Sequence, residues 1–126
     1  MSGSNTEQVW RLVDGHRDEF IGLADRVWEM PELGYQEHRS AAEHVAMLEE
    51  QGFRVTTGVA GIPTAIVGEA GDEGPVIAIL GEFDALPGLS QEAGVAEKRP
   101  RAGEGAGHAC GHNLLGSAAM LAATAV

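Results

Sequence analysis

The chain has 126 residues, enough for at most one ordinary domain, and its 44% hydrophobic and 21% charged content is that of a globular protein rather than a disordered one. Eight basic against 19 acidic residues give a formal net charge of −11, a field that repels phosphate and argues against nucleic acid and anionic membranes as partners. A single cysteine, Cys110, excludes an internal disulfide and with it the stapled secreted scaffolds.

The N-terminal Met1 to Gln8 carries no basic stretch followed by an apolar run, so no signal peptide is expected. A first helix is predicted over 6–29, where Val9, Leu12, Phe20, Leu23 and Val27 follow helical spacing and Asn5 with Gln8 offers a capping box. Trp10 and Trp28 suit its buried or half-buried surface. Pro31 and Gly34 end it, with Glu29 and Glu32 as turn residues. A second helix is expected from about Gln36 to Gln51, with Ala41, Val45 and Leu48 inward and Gly52 as its C-terminal cap. His16, His38 and His44 sit among charges in these helices and read as solvated.

The period then changes. Phe53 to Thr57 and Pro63 to Val67 read as short strands, and Gly71 to Gly74 as a turn. Pro75-Val76-Ile77-Ala78-Ile79-Leu80 is a continuous apolar run, the pattern of a strand buried on both faces. Residues 88–107 form a long loop rich in glycine and charge, a length that usually accompanies function or mobility. A small-residue helix follows, Leu114 to Val126, too short and too interrupted to span a bilayer. The order predicts an α/β fold with helices packed on a mixed sheet. The uncharged last helix needs covering on most sides, so the chain is expected to be the front part of a larger domain. A cytoplasmic location is the default expectation.

Two places carry chemistry. Cys110-Gly111-His112 puts a thiol and an imidazole two residues apart across a glycine that permits a sharp bend, so both can turn to one metal. A following helix N-terminus favours the thiolate. The alternative is a buried, inert Cys110 with solvated histidines. Glu82-x-Asp84 follows the apolar run at the strand end where open α/β sheets place ligands. Its carboxylates suit a cation or the orientation of a ligating histidine, or else simply face water. His108 either joins the cluster or orders the loop. No phosphate-binding glycine loop and no Gly-x-Ser-x-Gly elbow is present.

Trp28-Glu29-Met30-Pro31-Glu32-Leu33-Gly34-Tyr35-Gln36-Glu37, Gly81 to Pro87 and Gly107-His108-Ala109-Cys110-Gly111-His112-Asn113 together resemble, in order and rough spacing, the M20 metallopeptidase/amidohydrolase family. The likeness runs from about Val9 to the end and is greatest to the p-aminobenzoyl-glutamate hydrolase group, whose pattern Asn113 also fits. The resemblance implies the N-terminal part of a zinc-exopeptidase-like catalytic domain holding two zinc or manganese ions. It implies metal-ligand roles for Cys110 and His112, and a role for Asp84 in orienting a metal-bound imidazole. Glu82 stands where other branches have a ligating histidine. The implied reaction is hydrolysis of a small-molecule amide, in which two metals activate water and polarise the carbonyl while a glutamate takes the proton. That glutamate, the other ligands and a dimerisation domain would lie beyond residue 126, and the parent would be a homodimer or hetero-oligomer. The competing expectation is a non-catalytic metal- or thiol-binding fragment or interaction module.

Overall fold

The computed structural model describes residues 4–103 and 105–126. The expectations for Met1 to Gly3, as part of a terminus without a leader, and for Glu104, as part of the long loop, lie outside the described residues.

Helix α1 spans Asn5–Glu29 and opens one residue earlier than the sequence pattern indicates. Ser4, not Asn5, is its cap: the Glu7 amide donates to the Ser4 hydroxyl and the Ser4 amide to the Glu7 carboxylate. This reciprocal pair satisfies two amides that the first turn leaves free. The apolar stripe buries at Phe20, Leu23, Ala24 and Val27, while Leu12 and Trp10 remain exposed, so the N-terminal half of the stripe lies open.

Helix α2 spans His38–Glu50. Its start is fixed by Glu32, whose carboxylate accepts from the amides of Ser40 at 2.7 Å and Arg39 at 3.2 Å. Glu32 is therefore more than a turn residue. Burial opposes its charge, but these amide bonds outweigh it and hold the carboxyl below its usual range. Ser40, Ala41, His44, Met47 and Leu48 turn inward.

Strands β1 (Arg54–Thr57) and β2 (Ile66–Glu69) form an antiparallel pair, with Thr57 opposite Ile66. The second strand starts three residues later than its composition suggests. Pro63 has no amide to donate, and Thr64 is drawn inward to Glu37 instead of pairing. Gly68 permits the sheet to close on α2, since a Cβ there would stand 3.0 Å from a Leu48 methyl. Leu86–Pro87 (β3) pairs antiparallel with Ala106–Gly107 (β4), closing the long loop, and Leu33 bridges Ala85 in parallel.

The expected buried strand over 75–80 does not form. Val76 is 96% exposed, Ile77 75% and Leu80 87%, and among the described residues no strand pairs with the segment. Composition made it apolar, but a strand needs a ladder partner, and β2 and β3 on either side of it pair elsewhere. The mixed sheet is likewise replaced by two small antiparallel pairs, leaving a mixed helix and sheet arrangement compatible with part of an α/β fold.

Helix α3 spans His112–Ala125 and lies along α1. Small residues let the two approach closely. The Ser117 hydroxyl donates to the Phe20 carbonyl, and the Asn113 amide to the Ala24 carbonyl at 3.2 Å. Phe20, Leu23, Val27, Met47, Leu48 and Met120 form the core. Helix α3 is only partly covered, in line with the expectation that elements needed to cover it are missing from this piece: Leu114 is 62% and Leu115 43% exposed.

Candidate metal centre

The segment Gly81 to Asp84 crosses α3 at close range. A Cβ on Gly81 would stand 3.2 Å from the Gly116 Cα, and one on Gly116 would stand 2.9 Å from the Glu82 carbonyl. Only glycine at both places lets the backbone lie so near the helix. His112 is one helical turn before Gly116, on the same face. The crossing therefore delivers Glu82 and Asp84 to the His112 ring.

Both ring nitrogens meet a carboxylate. Nδ1 lies 2.7 Å from Asp84 Oδ1, and Nε2 lies 3.0 Å from Glu82 Oε2. One donor atom from each of Glu82, Asp84 and His112 falls within 4.8 Å of the others. With Nδ1–H donated to Asp84, the neutral ring turns the Nε2 lone pair on Glu82 Oε2. Two lone pairs at 3.0 Å repel unless a proton or a cation lies against both. Atoms that share a divalent cation at about 2.0–2.2 Å stand roughly 3 Å apart, so this nitrogen and oxygen fit a zinc- or manganese-like ion.

Gly111 takes the left-handed backbone, φ 79°, that the Cys-Gly-His bend requires. Its amide donates to the His108 carbonyl at 3.1 Å, closing the turn before α3. Cys110 is exposed on that turn, outside the group formed by Glu82, Asp84 and His112. His108 orders the loop: its Nε2 bonds the Val27 carbonyl at 3.2 Å, while its buried Nδ1 has no partner among the described residues. Burial pushes His108 below its ordinary range, against the opposing pull of that carbonyl.

His44 overturns its sequence reading. It is 1% exposed, not solvated, with Nδ1 donating to the Ser40 carbonyl at 2.8 Å. Its ring lies 4.4 Å from that of Phe83, between the two site carboxylates, so it backs the segment that carries them. Burial holds it below its ordinary range. Trp28 is half-buried as expected, under the Arg101 guanidinium. A further carboxylate went unread in the sequence: Glu37, 8% exposed, accepts from the Thr64 hydroxyl at 2.8 Å. Its one signal was an acid placed one residue before a helix.

No family model matches the chain. Curated proteins do. The homologues are named amidohydrolases and peptidases, and nearly the whole chain aligns with a hydrolase subunit among them, in line with the resemblance. It is 44% identical over 124 residues, 95% of its length, to a subunit of p-aminobenzoyl-glutamate hydrolase from Escherichia coli (strain K12), covering 26% of that protein. It is 33% identical over 121 residues to the putative amidohydrolase YhaA of Bacillus subtilis (strain 168), covering 94% of this chain and 29% of that one. Thermostable carboxypeptidase 2 of Saccharolobus solfataricus is 34% identical over 111 residues, 82% of this chain and 27% of the relative. The chain thus spans about a quarter of the length of the curated relatives it matches. Among the described residues no helix is long and apolar enough to cross a membrane.

Proposed function

We propose that the chain supplies part of the metal centre of an amidohydrolase that cleaves the amide bond of an N-acyl amino acid or an aminobenzoyl-glutamate-like substrate. The observation that carries this reading is His112 held between Asp84 at Nδ1 and Glu82 at Nε2. The names of the relatives, hydrolases of acyl-amino acid and peptide bonds, support the same class.

In this reading Asp84 accepts the Nδ1 proton, fixes the ring's tautomer and keeps Nε2 aimed at the cation position. Glu82, with its side chain 63% exposed, places a carboxylate oxygen beside that position. Cys110, exposed on the turn before His112, is assigned the thiolate ligand in this reading. A divalent cation held there provides the Lewis acidity that amide hydrolysis needs. In this reading the chain corresponds to part of a longer catalytic domain, which its span of about a quarter of its relatives' length supports. The Escherichia coli relative is named as one subunit of its hydrolase, which supports a multi-subunit parent.

The test is release of an amino acid from N-acyl substrates by the native gene product, before and after chelation. Expected are loss on chelation, recovery with zinc or manganese, and loss in His112→Ala. The 126-residue chain by itself is expected to release none. Hydrolysis that survives both chelation and His112→Ala contradicts the reading.

A further inference from the structure

One residue pins the turn between α1 and α2 on two sides. The Glu32 carboxylate reaches forward to the start of α2, where it accepts from the Ser40 amide at 2.7 Å and the Arg39 amide at 3.2 Å. The Glu32 carbonyl turns the other way and accepts from the Ala85 amide at 2.7 Å. We propose that Glu32 is a positioning residue of the metal centre, holding the Asp84 carboxylate against His112 through Ala85, an inference that rests on reading His112 as a metal ligand.

The connection is short. Ala85 follows Asp84 directly, and Asp84 Oδ1 stands 2.7 Å from His112 Nδ1. A shift of the Ala85 amide therefore moves the carboxylate that fixes the ring. Leu33 adds the parallel bridge to Ala85, which is 2% exposed, so the strip is packed as well as bonded. The turn also meets the carboxylate itself: a Cβ on Gly34 would stand 3.8 Å from Asp84 Oδ2. The crossing at Gly116 fixes residues 81 and 82, and the Glu32 carbonyl fixes residue 85 on the other side of Asp84.

The side chain is what makes this carbonyl a firm point. Glu37, the residue at the N-terminal cap of α2, makes no capping bond, so the first amides of the helix take their acceptor from outside it. Glu32 supplies that acceptor with a side chain only 13% exposed, and bonds from amides to a charged carboxylate are the strong and directional ones. The turn needs such an anchor. Tyr35 within it is held at φ 66°, a conformation rare for a bulky residue and kept only where the surroundings impose it.

The experiment compares Glu32→Ala with Ser4→Ala in the 126-residue chain at low salt. Ser4→Ala also removes a helix cap, but at the far end of α1 from Ala24, whose carbonyl takes the Asn113 amide. The His112 ring nitrogen shifts are read by nuclear magnetic resonance without metal, at about pH 8, where an imidazole is ordinarily neutral. Zinc affinity is read by competition with a chromophoric chelator. Glu32→Ala is expected to move the ring signals away from the Nδ1–H form that Asp84 sets and to weaken zinc binding about tenfold, the lower end of what losing the partner behind a ligating histidine costs. Ser4→Ala is expected to change neither. Should Glu32→Ala lose its fold, Glu32→Gln, which keeps an oxygen for the Ser40 amide, is expected to shift the ring signals the same way by less. Unchanged ring signals in a folded Glu32 variant, or equal changes in Ser4→Ala, overturn the proposal. If the wild-type chain takes up no zinc, the metal-centre reading falls, while the metal-free ring signals still decide whether Glu32 positions Asp84.

Discussion

His112 has one proton to give as a neutral ring and two carboxylates to face. Asp84 is the closer, and its replacement by asparagine exchanges a charged acceptor for a neutral one that can also turn its donor toward the ring. We expect Asp84→Asn to weaken zinc binding about 10–100-fold, the usual cost of losing the partner behind a ligating histidine. Competition titration against a chromophoric chelator measures this, and unchanged affinity would show that Asp84 does not position the ring. Asp84 and His112 were legible as candidates because their motifs announce themselves in one chain: a carboxylate pair after an apolar run and Cys-Gly-His before a helix. Glu37 and His44 were not. Glu37 lies between Gln36 and His38, and His44 follows Glu43, and only the tertiary packing that draws Thr64 and Phe83 against them makes them interior.

Among elements, the crossing of the 81–84 segment over α3 decides whether the site exists. A methyl group on Gly116 would stand 2.6 Å from His44 Nε2 and 2.9 Å from the Glu82 carbonyl. Neither can yield freely, because His44 is anchored on Ser40 and the carbonyl is backbone. Gly116→Ala is expected to cost about 1–3 kcal/mol in urea unfolding, as overpacked cores do. It should also weaken zinc binding, because Glu82 moves away from Nε2. Full zinc affinity in a destabilised Gly116→Ala would show that the crossing does not set the site.

His44 links the same packing to pH. Burial lowers its folded pKa below the ordinary 6.5, an effect that Ser40 and Glu43 only partly oppose. Below about 6.5 the unfolded chain therefore binds the extra proton and the folded one resists it. This residue's contribution to stability is complete above that pH and is lost as pH falls. Urea midpoints measured across the range of about pH 5 to 8 should rise to about pH 6.5 and then level, with a shallower rise in His44→Phe. An identical slope in the variant would assign the dependence to other groups.

At the scale of the molecule, helical periodicity made α1 and α2 legible because amphipathic spacing is a local property. The apolar run at 75–80 misled for the opposite reason. Its composition is local, but pairing is not, and nothing among the described residues pairs with it. An extended apolar segment with free backbone groups is a template for association. The net charge of −11 opposes that association at low salt and loses its reach as salt screens it. The 126-residue chain is expected to self-associate in sedimentation velocity as salt rises, and Ile77→Lys with Ile79→Lys to suppress this. A chain that stays monomeric and melts in one sharp transition at high salt would contradict the exposed edge.

The central claim is that His112, bracketed by Asp84 and Glu82 and preceded by Cys110, is a metal ligand. Cobalt titration of the chain, followed by visible absorption, tests it most directly. Saturable d–d bands with a thiolate charge-transfer band are predicted, the latter lost in Cys110→Ser and both strongly weakened in His112→Ala. Cobalt spectra that are the same in the wild-type chain and His112→Ala would contradict it.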